Sequence, residues 1–183
     1  MQLHQLPWHT SYLHAPYGVT LLGQTLNPFN GFVAILLLKF LTLNQAFNAM
    51  VIFSFVFGGI TAFWLAYYFT RSYVSSLLGG FIFTFSSYHF AHAIGHMQLV
   101  SLQFIPLFIL LWWRLLKRPS YHLATGAALV LMLIILCDYY YFMYSVFTAV
   151  GIGFYLWRTD QLADLRNRGN QLRLGLFGLL SLL

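Results

Sequence analysis

Residues 46–69 carry no charged side chain, and four further apolar runs follow at 74–92, 98–113, 123–137 and 140–157. In hydrocarbon a backbone can satisfy its own polar groups only as a helix or as a closed barrel. These runs lack the alternation of barrel strands, so each is expected to be a helix. About 20 apolar residues cross a bilayer, and the runs approach that length. Composition agrees: 60% of the 183 residues are hydrophobic and 7% are charged, where a soluble domain carries about 25% charged residues. A chain of this size cannot hide so much apolar surface in its own interior. The expected fold class is all-α, a polytopic transmembrane helix bundle with one short interfacial helix. It forms a single transmembrane domain over residues 1–183.

Within that domain, residues 45–157 supply five spans, 158–171 a polar loop, and 172–183 the beginning of a further span. Residues 31–43 are too short to cross and carry Lys39 near their middle, which favours a helix lying in the membrane interface. Residues 1–44 then form an outer loop. Orientation follows from the basic residues. Arg71, Arg114, Lys117, Arg118, Arg158, Arg166, Arg168 and Arg173 all fall on one side of the expected bundle, and the opposite turns carry none. Basic loops mark the cytoplasmic side. Trp8, Trp112, Trp113 and Trp157 fall near the expected interfaces, where indole rings concentrate.

Several function classes drop out. The formal charge is +6, but nine basic residues are too scattered to track a nucleic-acid backbone, so no nucleic-acid partner is expected. The single cysteine, Cys137, precludes an internal disulfide framework. Residues 1–30 lack both the basic and the apolar stretch of a signal peptide. No phosphate-binding glycine loop, nucleophile elbow or paired carboxylates occur.

The chemically unusual residues fall on the expected outer side. His89, His92 and His96 are spaced i, i+3 and i+7, one face of a continuous helix. Three imidazoles so placed suit zinc or copper. However, Gly95 weakens the helix and no carboxylate stands by to orient the rings, so no metal and no cofactor are expected. Partly protonated imidazoles suit an anionic group such as a phosphate better than they suit a metal. They also suit an amphipathic residue at a membrane interface. Asp138, with Tyr139, Tyr140 and Tyr141 behind it, sits at the tip of a hairpin. An acid near membrane depth is costly and marks function by default, although Asp also favours turns. Gln98, Ser101 and Gln103 precede Pro106, which is expected to bend its helix and to open a polar cavity or support helix–helix hydrogen bonds. The pairs Gly58-Gly59 and Gly79-Gly80 read as close-packing positions.

Across residues 12–157 the order of features resembles a stretch of bacterial polytopic glycosyltransferases of the GT-C superfamily. Its anchors are Pro16-Tyr17-Gly18, Asn27-Pro28, Asn48, the stretch 83–88, His96, Pro106 and the tip Asp138-Tyr139-Tyr140. The resemblance implies an enzyme of the bacterial plasma membrane that takes a sugar from a polyprenyl-phosphate donor to an acceptor hydroxyl on the outer face. Its partners would be the lipid bilayer and the polyprenyl-phosphate sugar. The substrate-binding residues would be His92, His96, Gln98, Asp138, Tyr139 and Tyr140, with His92 and His96 toward the donor phosphate and Asp138 and Tyr139 or Tyr140 toward a sugar or acceptor. The family carries a catalytic acid after a first membrane helix, and this chain has no acidic residue before Asp138. The catalytic base is therefore unassigned. The helix and its acid are expected upstream of Met1, as though this were an interior piece, inactive alone. A transporter or flippase segment and a non-catalytic scaffold subunit remain as alternatives.

Overall fold

The computed structural model describes residues 9–11, 13–21, 26–164 and 166–181. Trp8 and Tyr12 lie outside the described residues.

The described chain is mostly helical, in keeping with the all-α expectation. A small strand pair that the sequence did not announce comes first. Strands β1 (His9–Thr10) and β2 (Val19–Thr20) pair antiparallel, His9 opposite Thr20 and Thr10 opposite Val19. Gly18 enters β2 at φ +73 with the His9 ring close by, a conformation and a space that exclude a Cβ.

Helix α1 (Pro28–Leu37) is capped by the Asn27 side chain and has proline in its first turn. Both are helix-starting signals. It covers residues 31–37 of the stretch 31–43 expected to be interfacial, ending earlier than expected, and Lys39 falls beyond its end. Asn30 is its one buried residue, and Phe32, Ile35 and Leu36 remain exposed.

Helix α2 (Leu43–Thr70) follows. Thr42 and Gln45 form a reciprocal capping box at its start, with the Thr42 N–H donating to Gln45 Oε1 at 2.9 Å, which satisfies two otherwise orphaned donors. Among the described residues α2 alone is long and apolar enough to cross a membrane. Helix α3 (Tyr73–Thr84) returns along it. A Cβ on Gly80 would stand 2.8 Å from the Gly59 carbonyl oxygen, and one on Gly59 would stand 2.5 Å from Thr84 Oγ1. Gly59 and Gly80 thus bring the two backbones together, as close-packing glycines do.

The next two expected spans are broken. The run 74–92 divides at Phe85–Ser86 into α3 and α4 (Ser87–Ala93). The run 98–113 divides into the single turn α5 (Met97–Val100) and helix α6 (Ile105–Lys117). Pro106 lies in the first turn of α6, so it starts a helix and does not bend one. Its missing N–H costs nothing there. Helix α7 (Tyr121–Cys137) and helix α8 (Tyr139–Arg158) form the expected hairpin, joined by Asp138 alone. The polar segment after α8 ends earlier than expected, because α9 (Arg168–Leu180) begins at Arg168. With α3, α4, α5 and α6 each well short of a span, helix lengths do not support five crossings.

The core lies where α6, α7 and α8 meet the loop before α6. Leu102, Phe104, Phe108, Val130, Leu131, Ile134, Cys137 and Tyr141 pack there. The Trp112 indole donates to the Ala149 carbonyl at 3.0 Å and ties α6 to α8. Much of the outside is apolar: Leu77, Leu78, Phe81, Ile82, Phe147, Val150 and Phe154 are exposed. Much of the inside is polar: Ser54, Thr61, Ser76, His89, Ser101, Gln103 and Asp138 are buried.

Candidate functional site

The two helix breaks meet one another. His89, fully buried, stacks on Phe55 with ring centroids 3.8 Å apart. Its Nδ1 faces the Thr84 carbonyl at 2.9 Å, and its Nε2 faces the Val100 carbonyl at 3.0 Å. The ring therefore stands between a carbonyl of each broken segment, that of Val100 also accepting from the Leu102 N–H at 2.7 Å. Ser54 donates to Val100 O at 2.5 Å and lies 2.9 Å from Gln103 Oε1, while Thr61 donates to Gln103 O at 2.9 Å. Buried backbone acceptors need such partners, and α2 supplies them. Gln103 and Ser101 thus serve as joints between segments.

This arrangement corrects the reading of the three histidines as one helix face. Helix α4 ends at Ala93, and the His92 carbonyl accepts from the N–H groups of Gly95 at 3.4 Å and His96 at 3.0 Å. His89 points into the packing. His92 and His96 remain together, ring centroids 5.4 Å apart and nearly perpendicular. No group of three His, Cys, Asp or Glu side chains placed to hold a metal occurs among the described residues.

From His92 a line of contacts leads to Asp138. The Tyr88 ring lies 4.4 Å from the His92 ring. Tyr88 and Tyr141 hydroxyls are 2.9 Å apart, and Tyr141 donates to the Leu99 carbonyl at 2.5 Å. With the Tyr141 proton so committed, Tyr88 donates to Tyr141. Tyr141 lies in the first turn of α8, where its N–H donates to Asp138 Oδ1 at 3.2 Å, beside the Tyr140 N–H at 2.7 Å. Asp138 is fully buried and caps α8. Burial pushes its carboxyl above the ordinary value, and the two amide donors oppose that rise.

Two members of this line are unsatisfied. Asp138 Oδ2 and His92 Nδ1 are both buried without a hydrogen-bond partner, as is Ser145 Oγ two turns further along α8. An orphaned buried polar atom costs about 1–3 kcal/mol, and native structures keep few of them.

The remaining candidates stand apart. Tyr139 and Tyr140 are each more than half exposed at the hairpin tip and make no ring contact with the histidines. Gln98 lies in α5, half-buried, with its backbone carbonyl accepting from Ser101 N–H at 3.4 Å. Sequence reasoning missed Tyr88 and Tyr141 as the connectors. Tyr88 had a signal, standing four residues before His92 on the same helix face. It also missed Asn30, whose Nδ2 donates to Ser101 Oγ at 2.8 Å and docks α1 on the segment beneath the site.

Comparison with protein-family models, with curated proteins and with solved structures finds no match to this chain.

Proposed function

We propose that this chain is a membrane-embedded helical bundle and forms part of a glycosyltransferase that uses a polyprenyl-phosphate sugar. Lipid as solvent accounts for the apolar exterior around a polar interior, since buried polar groups in membranes face the bundle interior. Counting α3 with α4, and α5 with α6, as broken crossings restores the five-span arrangement, because irregular backbone is tolerated at membrane depth when it is buried in protein. In this reading α1 lies in the interface with Phe32, Ile35 and Leu36 toward lipid. The basic end of the bundle faces the cytoplasm of a bacterial plasma membrane.

One observation carries the site. Asp138 Oδ2 and His92 Nδ1, two buried atoms without partners, belong to one line of contacts that ends at His96. A sugar phosphate supplies what both lack. A sugar hydroxyl donates to Asp138 Oδ2, and the imidazoles of His92 and His96 face the phosphate. Tyr139 and Tyr140 offer exposed ring faces to a sugar or acceptor. In the transfer the acceptor oxygen bonds to the anomeric carbon, the bond from that carbon to the phosphate oxygen breaks, and its electron pair leaves on the polyprenyl phosphate. The acceptor proton passes to a base that is not assigned to a residue of this chain.

The test is sugar transfer by membranes carrying the full protein, with His96→Ala and Asp138→Asn compared against wild type. Each variant removes a contact to substrate and is expected to lower transfer at least tenfold. Unchanged transfer in both variants would sink the site. Absence of transfer by the wild type from any polyprenyl-phosphate sugar would sink the reaction.

A further inference from the structure

The opposite end of α7 from Asp138 holds a second unusual assembly. A cavity of about 520 Å³ is lined by Tyr68, Arg71, Arg114, Lys117, Arg118 and Leu123. Its cations come from two helix ends far apart in sequence: Arg71 closes α2, and the other three close α6. Ring contacts hold this corner together, with Phe69 against Trp113 at 4.9 Å between centroids. Arg71 lies over the Tyr68 ring and Lys117 over the Trp113 ring. Lys117 also donates to Gln161 at 2.9 Å. Among the described residues none of the four cations forms an ion pair.

Arg71 adds an independent observation. It takes the left-handed conformation, φ 55 and ψ 18, at the C-cap of α2. That position ordinarily goes to glycine, because a Cβ disfavours it. An arginine kept in a disfavoured backbone state points toward its side chain as the reason.

We propose that this cavity is a binding site for a phosphate group, the headgroup phosphate of an anionic lipid being the source that a membrane protein meets there. Four like charges around one cavity repel, and a bound anion relieves that repulsion. Three guanidinium groups present forked donors that match phosphate oxygens two at a time. The volume suits a small polar group, and Tyr68 and Trp113 are the aromatic types found at headgroup depth. Basic pockets between helices at the cytoplasmic side hold such headgroups. This site is separate from the Asp138 line and does not depend on sugar transfer.

The test titrates the full chain in neutral detergent with phosphatidic acid, with the diacylglycerol of the same acyl chains, and with inorganic phosphate, reading bound species by native mass spectrometry. Phosphatidic acid is expected to bind and diacylglycerol not. The pair Arg114→Gln with Arg118→Gln should weaken binding roughly tenfold or more. The pair Arg158→Gln with Arg166→Gln, which removes equal charge outside the cavity, should change it little. Arg71→Gly should also weaken binding while the fold becomes no less stable, since the cap conformation suits glycine. Inorganic phosphate binding with the same sensitivity would support the site for the free anion, and lipid binding alone would support it for the headgroup. Equal loss in the Arg158/Arg166 pair, or unchanged binding in both the Arg71 and the Arg114/Arg118 variants, overturns the proposal.

Discussion

Asp138 offers the sharpest test of the energetics, because two substitutions separate its cap from its charge. Asp138→Ala removes the acceptor of two amide hydrogens, at 2.7 and 3.2 Å. Losing a cap costs about 1 kcal/mol, and a buried amide left without a partner adds about 1–2 kcal/mol. The sum, about 2–3 kcal/mol, lowers the folded-to-unfolded ratio roughly 30-fold to 150-fold. Asp138→Asn keeps the accepting oxygen and exchanges only Oδ2, which has no partner to lose. The sign with pH follows from the direction of the shift. Burial raises the Asp138 carboxyl above its ordinary value, so the folded state holds a proton that the unfolded chain releases. That contribution is full below the unfolded value, about pH 4, and is lost as pH rises through the folded value. Wild type should therefore lose stability relative to Asp138→Asn as pH rises above about 4, whereas the other titratable groups, the buried His89 among them, contribute equally to both proteins. Near pH 4 the two should match, with Asp138→Ala below both. The assay is unfolding in detergent micelles, followed by intrinsic tryptophan fluorescence across that pH range. An asparagine variant as unstable as the alanine variant at pH 4, or wild type gaining stability relative to the asparagine variant as pH rises, would refute the reasoning.

Gly80→Ala should cost about 1–3 kcal/mol, because its Cβ meets the Gly59 carbonyl oxygen, an atom that cannot swing aside. Gly151→Ala, with open space around its Cβ, should gain up to about 1 kcal/mol from helix propensity, and thermal unfolding of both compares them. Tyr141→Phe removes the O–H that satisfies Leu99 O and receives Tyr88. It should cost about 1–3 kcal/mol, and more than Tyr88→Phe in the same measurement, since Tyr88 loses only the terminal bond.

Where the sequence was legible, a local signal decided the structure. The bounds of α2, α7 and α8 follow the apolar runs to within a few residues, and Asp138 between two such runs reads directly as a tip. The breaks at Phe85–Ser86 and at Ser101–Phe104 were not read, although Ser86 is the side-chain cap of α4, because Ser and Gln residues such as Ser86, Ser101 and Gln103 also occur inside membrane helices. What holds those breaks in place is largely tertiary. His89 and Ser54 take up carbonyls of Thr84 and Val100 from elsewhere in the chain, and no spacing rule reports that. The histidine trio failed for the same reason, since its periodicity presumed a helix running on past Ala93. Asp138, His92 and His96 were found as residue types. Tyr141 was read only as one of the three tyrosines at the tip, and its link to Tyr88 was not read, because the two are 53 positions apart. The basic residues were read as scattered loop charges, and their convergence on one cavity required knowing that α2 and α6 end side by side.

The one-residue joint between α7 and α8 has a consequence for how this region tolerates change. With Asp138 alone between them, the angular setting of α8 is fixed by counting residues. Each residue advances an α-helix by about 100°. An insertion or deletion at the tip would therefore rotate Tyr141 away from Leu99 and Tyr88, and would swing an outward-facing side chain of α8 inward. Substitution at the tip alters only the cap bonds to the Tyr140 and Tyr141 amides, whereas a change of length re-indexes a whole helix face. The tip can thus drift in chemistry far more readily than in length.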